Sequence, residues 1–333
     1  MKNTPLPRLD ENHELHERLL PYCRLKPGEI WLDARLGHKV ACIDAADSHA
    51  VSQLIAGERA SLAIQDPPYN VAAFSVRDPS EFIAWSRKWV GNTISGLSNN
   101  SSLYVWLGAD QNNHFQPLAE FILMMRSFPV RSRSLITMRN QRGYGTQKNW
   151  MAVRQELLYY SIGEPKFNVE AEYTDIPKIL RGYYKEVGGK RQENLERSNS
   201  EFIRAGNVWF DIQQVFYRMD ENVSGCYAQK PLKAIERIVR ASSGVDDLVL
   251  DFFAHAGTTL LACERLRRRC FTAEVDPVFC EITIRRLEHF RTTGRIGWQN
   301  HHPFEKECPD LKEVTEEEDT DTTPQSPAQG ALL

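Results

Sequence analysis

The chain has 333 residues, 41% of them apolar, with 41 Lys+Arg against 44 Asp+Glu and seven cysteines. That length supports one large domain with an insertion or two rather than several small domains. No apolar run approaches a membrane span, Met1 to Glu17 is polar with no secretory pattern, and the scattered cysteines lack disulfide or zinc spacing, so a cytoplasmic protein with reduced thiols and no metal is expected.

The net charge of −3 is uneven. Glu305 to Leu333 carries nine acids and two lysines, a local charge of −7, which leaves 39 basic and 35 acidic residues, or +4, for the body. The tail is acidic and has few groups to bury, which predicts disorder from 301 to 333.

In chain order, residues 1–27 read as an N-terminal extension. Strands are predicted over Gly28–Asp33, His38–Asp44 and Ser61–Gln65, the last ending in Asp66-Pro67-Pro68-Tyr69. Asp66 and the Pro67 carbonyl can accept both hydrogens of an exocyclic amine, neither Pro67 nor Pro68 offers a competing N–H, and Tyr69 supplies a ring on which a flat base can stack. These residues fit transfer of a group to the amine of a base. Taken alone, they are equally a strand ending in a Pro-Pro turn.

A helix follows over Ser80–Ser95, a strand over Ser102–Leu107, a helix over Gln111–Phe128, and strands over Ser132–Met138 and Gln155–Ser161. Trp85, Trp89 and Trp106 read as core aromatics. Arg126 to Lys148 contains no acid, and its Gln141–Thr146 section reads as a mobile loop. Arg139, Arg142, Tyr144 and Lys148 are therefore candidates for contact with a phosphate backbone. Lys178 to Arg204 mixes seven basic residues with four acids, and offers Arg181, Lys185, Lys190 and Arg191 as readers of base edges.

Beyond it lie Gln229-Lys230-Pro231, a helix over Pro231–Ala241 and a buried strand over Leu248–Phe252. Asp251, Phe252, Phe253, Ala254, His255, Gly257, Thr258 and Thr259 then span the strand end, a small-residue turn and the start of a helix over Thr258–Arg268. The next strand, Cys270–Glu274, ends in an acid, and Asp276 precedes a helix over Pro277–Arg291. Strand, turn and helix N-terminus make a cradle for a nucleotide-like cofactor, and an acid at the second strand's end suits ribose hydroxyls.

Taken together, these two signatures resemble the S-adenosylmethionine-dependent DNA amino-methyltransferases, and more closely their beta group, in which the catalytic motif precedes the cofactor motif. The resemblance spans roughly residues 28–292. Ala41–Ala45, with Asp44, resembles the family's leading strand. Gln229-Lys230-Pro231 resembles its motif ahead of the cofactor strand, and Asn149-Trp150 with Glu156–Tyr160 its late strand beside the base pocket.

The resemblance implies a Rossmann-like α/β fold, a doubly wound mixed sheet with one antiparallel strand in permuted motif order. It divides the chain into a catalytic half (28–164), a target-recognition insertion (165–225) and a cofactor half (226–300). It further implies S-adenosylmethionine as cofactor, held in part by Asp44, Lys230, Glu274 and Asp276, and double-stranded DNA as substrate with the target base flipped out. Adenine N6 is the first choice of target and cytosine N4 the alternative. Relatives that pair as homodimers or act with a restriction endonuclease leave both partners open here.

One position departs from the family pattern. The cofactor turn normally reads Phe-x-Gly-x-Gly, whereas this chain has His255 in place of the first glycine. Either the histidine fits and touches the methionine end of the cofactor, or it blocks the site and leaves a DNA-binding protein without catalysis.

Overall fold

The computed structural model describes residues 6–69, 78–110, 113–144, 150–171, 173–177, 184–193, 200–216, 218–299 and 301–309. Asn12 caps α1 (His13–Leu19), which runs into a 3-10 turn at Leu20–Tyr22. Then come β1 (Ile30–Leu32), β2 (Lys39–Cys42), α2 (Ser48–Ile55), β3 (Ala60–Gln65), α3 (Pro79–Gly96) and β4 (Leu97–Leu107). The next elements are α4 (Leu118–Met125), β5 (Arg131–Tyr144) and β6 (Ala152–Ile162). Short strands β7 (Tyr173–Pro177), β8 (Tyr184–Val187), β9 (Lys190–Glu193), β10 (Phe202–Arg204) and β11 (Val208–Trp209) fill the middle. The chain closes with α5 (Leu232–Ser242), β12 (Leu248–Asp251), α6 (Thr258–Leu266), β13 (Arg269–Glu274) and α7 (Pro277–Thr293).

The main sheet has nine strands among the described residues, in the order β1-β2-β13-β12-β3-β4-β6-β5-β11. β2, β13, β12, β3 and β4 are parallel neighbours, and β6 runs against both β4 and β5. β1 is a second antiparallel strand, a hairpin partner of β2, because only six residues separate Leu32 from Lys39. The expected single antiparallel strand is thus two.

Both faces are covered. Val51, Phe82, Trp89 and Phe121 from α2, α3 and α4 pack on one side. Ile235, Leu261 and Ile284 from α5, α6 and α7 pack on the other. Trp89 and Phe82 are almost fully buried, and burying each such side chain contributes about 2 kcal/mol. The seven cysteines are free, and no helix among the described residues is long and apolar enough to cross a membrane.

Several boundaries move. α4 starts at Leu118 rather than Gln111 because Pro117 sits at its N-cap and His114 and Phe115 hold positive φ; proline can precede a helix but not continue one. β5 reaches Tyr144, which pairs with Ala152 after a register shift beyond Arg139, so it enters the section expected as a mobile loop; Gly145 and Thr146 lie outside the described residues. α2 was not expected, though Asp47 caps it and Val51, Leu54 and Ile55 form its buried face.

The middle insertion is not wholly separate. β8 and β9 form a hairpin across Gly188–Gly189 and β10 pairs with β7, but β11 joins the main sheet beside β5 and buries Trp209. The tail also begins later than 301: Phe304 and Cys308 are buried with Leu6, Leu9, Leu15 and Leu19 against α7, and Arg285 pairs with Glu307. Residues 310–333 lie outside the described residues.

Arg286 on α7 is fully buried and holds the loops that converge on the strand ends. It donates to the carbonyls of Ala256 (2.8 Å), Ile296 (2.8 Å) and Glu221 (3.2 Å), and to Thr258 Oγ1 (3.0 Å). Burial lowers its pKa to about 10, which still leaves it charged at neutral pH. Replacing Arg286 by Met strands these buried carbonyls and is expected to lower unfolding free energy by about 3 kcal/mol, read by urea denaturation. A loss below about 0.5 kcal/mol would show that water replaces the guanidinium.

Candidate active site

β3 and β12 are adjacent parallel strands at the centre of the sheet, so the turns that follow them lie side by side. Gln65 joins them: it is fully buried, its Oε1 accepts the Phe252 N–H (2.9 Å), and its Nε2 donates to Thr93 Oγ1 (3.3 Å). Asp66 follows directly. Its Oδ1 accepts the Tyr69 hydroxyl (3.1 Å), and its Oδ2 lies 2.8 Å from Lys230 Nζ.

Burial, and then the Asp66 charge, push the Tyr69 phenol well above its usual range, so it remains a donor. Its ring is held against the end of β4. A Cβ at Gly108 would lie 2.9 Å from Tyr69 Cδ2, so only glycine leaves the ring where it is. Pro67 is buried and Pro68 exposed.

Lys230 is placed by the loop ahead of α5. Gln229 accepts the Val223 N–H (3.0 Å) and donates to the Glu221 carbonyl (2.8 Å), while Glu221 Oε2 accepts the Leu232 N–H at the start of the helix (2.7 Å). Lys230 is 8% exposed, and its Nζ stands 5.1 Å from the Tyr69 ring centroid and 5.3 Å from that of Trp106. Trp106 is thus a core residue that also faces the site.

The turn after β12 is built from backbone bonds. Asp251 accepts the Phe253 N–H (2.9 Å) and bonds Thr259, and burial pushes its pKa up to about 7. Phe252 is core, whereas Phe253 is partly buried with its ring edge-on to Trp85 and Trp89. The Ala254 N–H donates to the Ala273 carbonyl (2.9 Å). Gly257 caps α6 at φ 71°, and a Cβ there would meet Thr283 Cα at 3.0 Å.

His255 adopts φ 44°, the left-handed backbone that a glycine would supply, and histidine tolerates that region better than most residues. Its N–H donates to Glu274 Oε2 (2.9 Å), its carbonyl accepts Thr283 Oγ1 (3.1 Å), and its ring packs 4.9 Å from Phe279. Burial lowers its pKa to about 4, so the imidazole is neutral at neutral pH. Burial likewise pushes Glu274 up to about 7, although its carboxylate also accepts the Val275 N–H (2.9 Å) and the Asp276 N–H (3.3 Å).

Asp66, Lys230, Asp251, Phe253, Ala254, His255, Thr258 and Thr259 line one cavity, so the expected catalytic and cofactor motifs do meet. Glu274 adjoins it through the His255 N–H. Two other candidates are occupied elsewhere: Asp44 accepts the Ala46 N–H (2.8 Å), and Asp276 caps α7 through Val278 (2.8 Å) while its Oδ2 meets His16 Nε2 at 2.8 Å.

Of the candidate DNA contacts, Arg139 and Lys190 are exposed on β5 and β9. Lys148, Arg181 and the side chains of Arg142, Tyr144, Lys185 and Arg191 lie outside the described residues. Sequence reasoning missed Gln65, Gly108 and Arg286. Gln65 directly precedes the Asp66 motif, which was a usable signal; Gly108, at the end of a predicted strand, and Arg286 carried none.

The family model described as DNA methylase, of the N6/N4 type, matches residues 60–285, from the first residue of β3 into α7. Among curated relatives, the type II methyltransferase M1.MboII of Moraxella bovis is 28% identical over 253 residues, 72% of this chain and 91% of its own length. The DNA adenine methyltransferase YhdJ of Escherichia coli is 26% identical over 266 residues, covering 76% of this chain and 85% of its own.

Among solved structures, the cytosine-N4-specific PvuII DNA methyltransferase superposes with a TM-score of 0.53 at 15% identity, over 74% of this chain and 85% of that one. The M1.HpyAVI–SAM complex superposes at 0.51 with 14% identity, over 74% and 98%. These two show the fold. The family match spans both strand-end turns of the cavity, and the chain belongs to the N6/N4 DNA methylases, as an S-adenosylmethionine-dependent DNA amino-methyltransferase.

Proposed function

We propose that the protein methylates the N6 amine of adenine at a specific site in duplex DNA. The observation that carries this reading is Asp66, which accepts the Tyr69 hydroxyl and lines the same cavity as the Asp251–Thr259 turn. Asp at position 66 and the likeness to the adenine enzyme YhdJ favour adenine; the fold shared with the PvuII enzyme keeps cytosine N4 as the second reading.

Bound S-adenosylmethionine supplies an electrophilic methyl and leaves as S-adenosylhomocysteine. Tyr69 stacks the flipped base, which offsets part of the few kcal/mol of unstacking and unpairing. Asp66 and the Pro67 carbonyl accept the two amine hydrogens and draw the nitrogen towards a tetrahedral shape. Its lone pair then attacks the methyl carbon in line as the carbon–sulfur bond breaks. The surplus proton leaves through Asp66 or water.

On the cofactor side, Glu274 binds the ribose hydroxyls, Lys230 the carboxylate, and the backbone from Phe253 to Gly257, with Thr258 and Thr259, the methionine end. His255 tilts its ring onto Phe279, which supports a turn that accommodates the cofactor rather than blocking it. Arg139, Arg142, Tyr144 and Lys148 meet the DNA backbone, and the 165–225 insertion with Arg181, Lys185, Lys190 and Arg191 reads sequence.

Long-read sequencing of a methylation-free host expressing the chain tests the function. Modified adenine at one short motif is expected, and Asp66→Ala should reduce it by at least about 100-fold while S-adenosylhomocysteine still binds. Modified cytosine would establish the second reading, and activity surviving in Asp66→Ala would remove Asp66 from the mechanism.

His255→Gly is expected to leave S-adenosylhomocysteine affinity unchanged or raised by calorimetry; a loss of about tenfold or more would assign the ring a direct contact.

The pH dependence follows from Glu274 and Asp251, whose raised pKa values mean that the apo fold holds protons the unfolded chain has lost. Their stabilising contribution is full below the unfolded value near pH 4 and lost as pH rises through about 7. Hydroxyl donors favour the ionised Glu274. S-adenosylhomocysteine affinity is therefore expected to rise between pH 6 and 8, by up to about tenfold, with proton release, and more shallowly in Glu274→Gln. A flat wild-type profile would contradict this assignment.

A further inference from the structure

Both oxygens of Asp66 already have donors. Lys230 Nζ lies 2.8 Å from Oδ2, and the Tyr69 hydroxyl donates to Oδ1 over 3.1 Å. The ammonium also stands over the Tyr69 ring, 5.1 Å from its centroid. An exocyclic amine that stacks on Tyr69 and donates to Asp66 needs the same acceptor and the same ring. Lys230 therefore occupies the place the target amine must take.

The same lysine faces the cofactor cavity. The titratable side chains lining that cavity are Asp66, Lys230, Asp251 and His255, and the histidine is neutral. A carboxylate entering between two acids meets one lysine, and no arginine, among the lining residues. Lysine suits a change of partner: its charge is compact and carried on a flexible four-carbon stem. Its backbone stays anchored by Gln229 and by Leu232, whose N–H donates to Glu221.

We propose that Lys230 is an exchangeable cation. Without cofactor it closes Asp66; when the cofactor binds, the ammonium transfers to the cofactor carboxylate and releases Asp66 to accept the target amine. Base capture then requires prior cofactor binding, and an empty enzyme does not hold an extruded base. This inference rests on the reading of Asp66 as the seat of the amine.

A double-mutant cycle with S-adenosylhomocysteine as the probe tests it, on the full chain and without DNA. The uncharged sulfur of this probe removes any direct attraction of a sulfonium to Asp66. Titration calorimetry is run on wild type, Asp66→Asn, Lys230→Met and the double variant, with melting temperatures to confirm folding; Lys230→Gln replaces Lys230→Met if the latter melts.

The expected pattern is that Asp66→Asn tightens binding roughly tenfold by freeing Lys230, that Lys230→Met weakens it, and that Asp66→Asn has no effect once Lys230 is gone. An equal gain from Asp66→Asn in both backgrounds would mean direct repulsion by Asp66 and overturn the exchange. No gain in either background would also overturn it, leaving Lys230 as a fixed partner of Asp66. The cycle reads cofactor binding alone, so failure of the base-seat reading shows separately, as transfer activity that survives Asp66→Ala.

Discussion

Gln65 lies between the two strands whose ends carry the chemistry, and its side-chain carbonyl accepts the Phe252 N–H over 2.9 Å. That bond sets the level at which β3 and β12 stop relative to each other. Asp66 and the Phe253 turn are the next residues on each strand, so a change in this register would alter the separation of the two motifs. Methyl transfer needs its reacting atoms about 3 Å apart and in line. A rigid cross-strand bond in a fully buried setting meets that demand better than contacts between mobile loops.

Around this bond, buried charge is distributed with a consistent sense. Burial pushes Asp251 and Glu274 up to about 7 and His255 down to about 4, so at neutral pH the two carboxyls are only partly ionised and the imidazole is neutral. Asp66 stands apart because Lys230 balances it. Breaking such a buried pair from one side leaves an uncompensated charge, so each partner constrains what can enter near the other. Arg286 plays the complementary part: it donates to carbonyls of three segments, the Ala256 turn that lines the cavity, the Glu221 loop ahead of Lys230 and Ile296 beyond α7.

The two chain ends add to the same construction. α1 and the Phe304–Cys308 segment pack on α7, and His16 meets the Asp276 carboxylate that caps that helix. The helix thereby carries Arg286 and Thr283 to the cofactor turn from a surface fixed on both sides. What reads as a polar extension and an acidic tail is, from Leu6 to Leu19 and at Phe304 and Cys308, part of the scaffold.

Local chemistry was legible in the sequence because it is encoded by neighbours in the chain. Asp66-Pro67-Pro68-Tyr69, the small-residue turn from Ala254 to Thr259 and the alternating strands and helices each depend on residues within a few positions, and they appear where expected. The left-handed backbone at His255 was also foreseeable, since the turn demands it of whatever residue stands there. Long-range facts were not legible. That Lys230 pairs with Asp66 across 164 positions of chain, that Gly108 clears the Tyr69 ring, and that β11 returns to the main sheet are set by which strands lie side by side. Sequence alone determined the two motifs and the class of chemistry they support. The tertiary structure decided which side chains face each other, because a charge or a Cβ acts through distance in space and not along the chain.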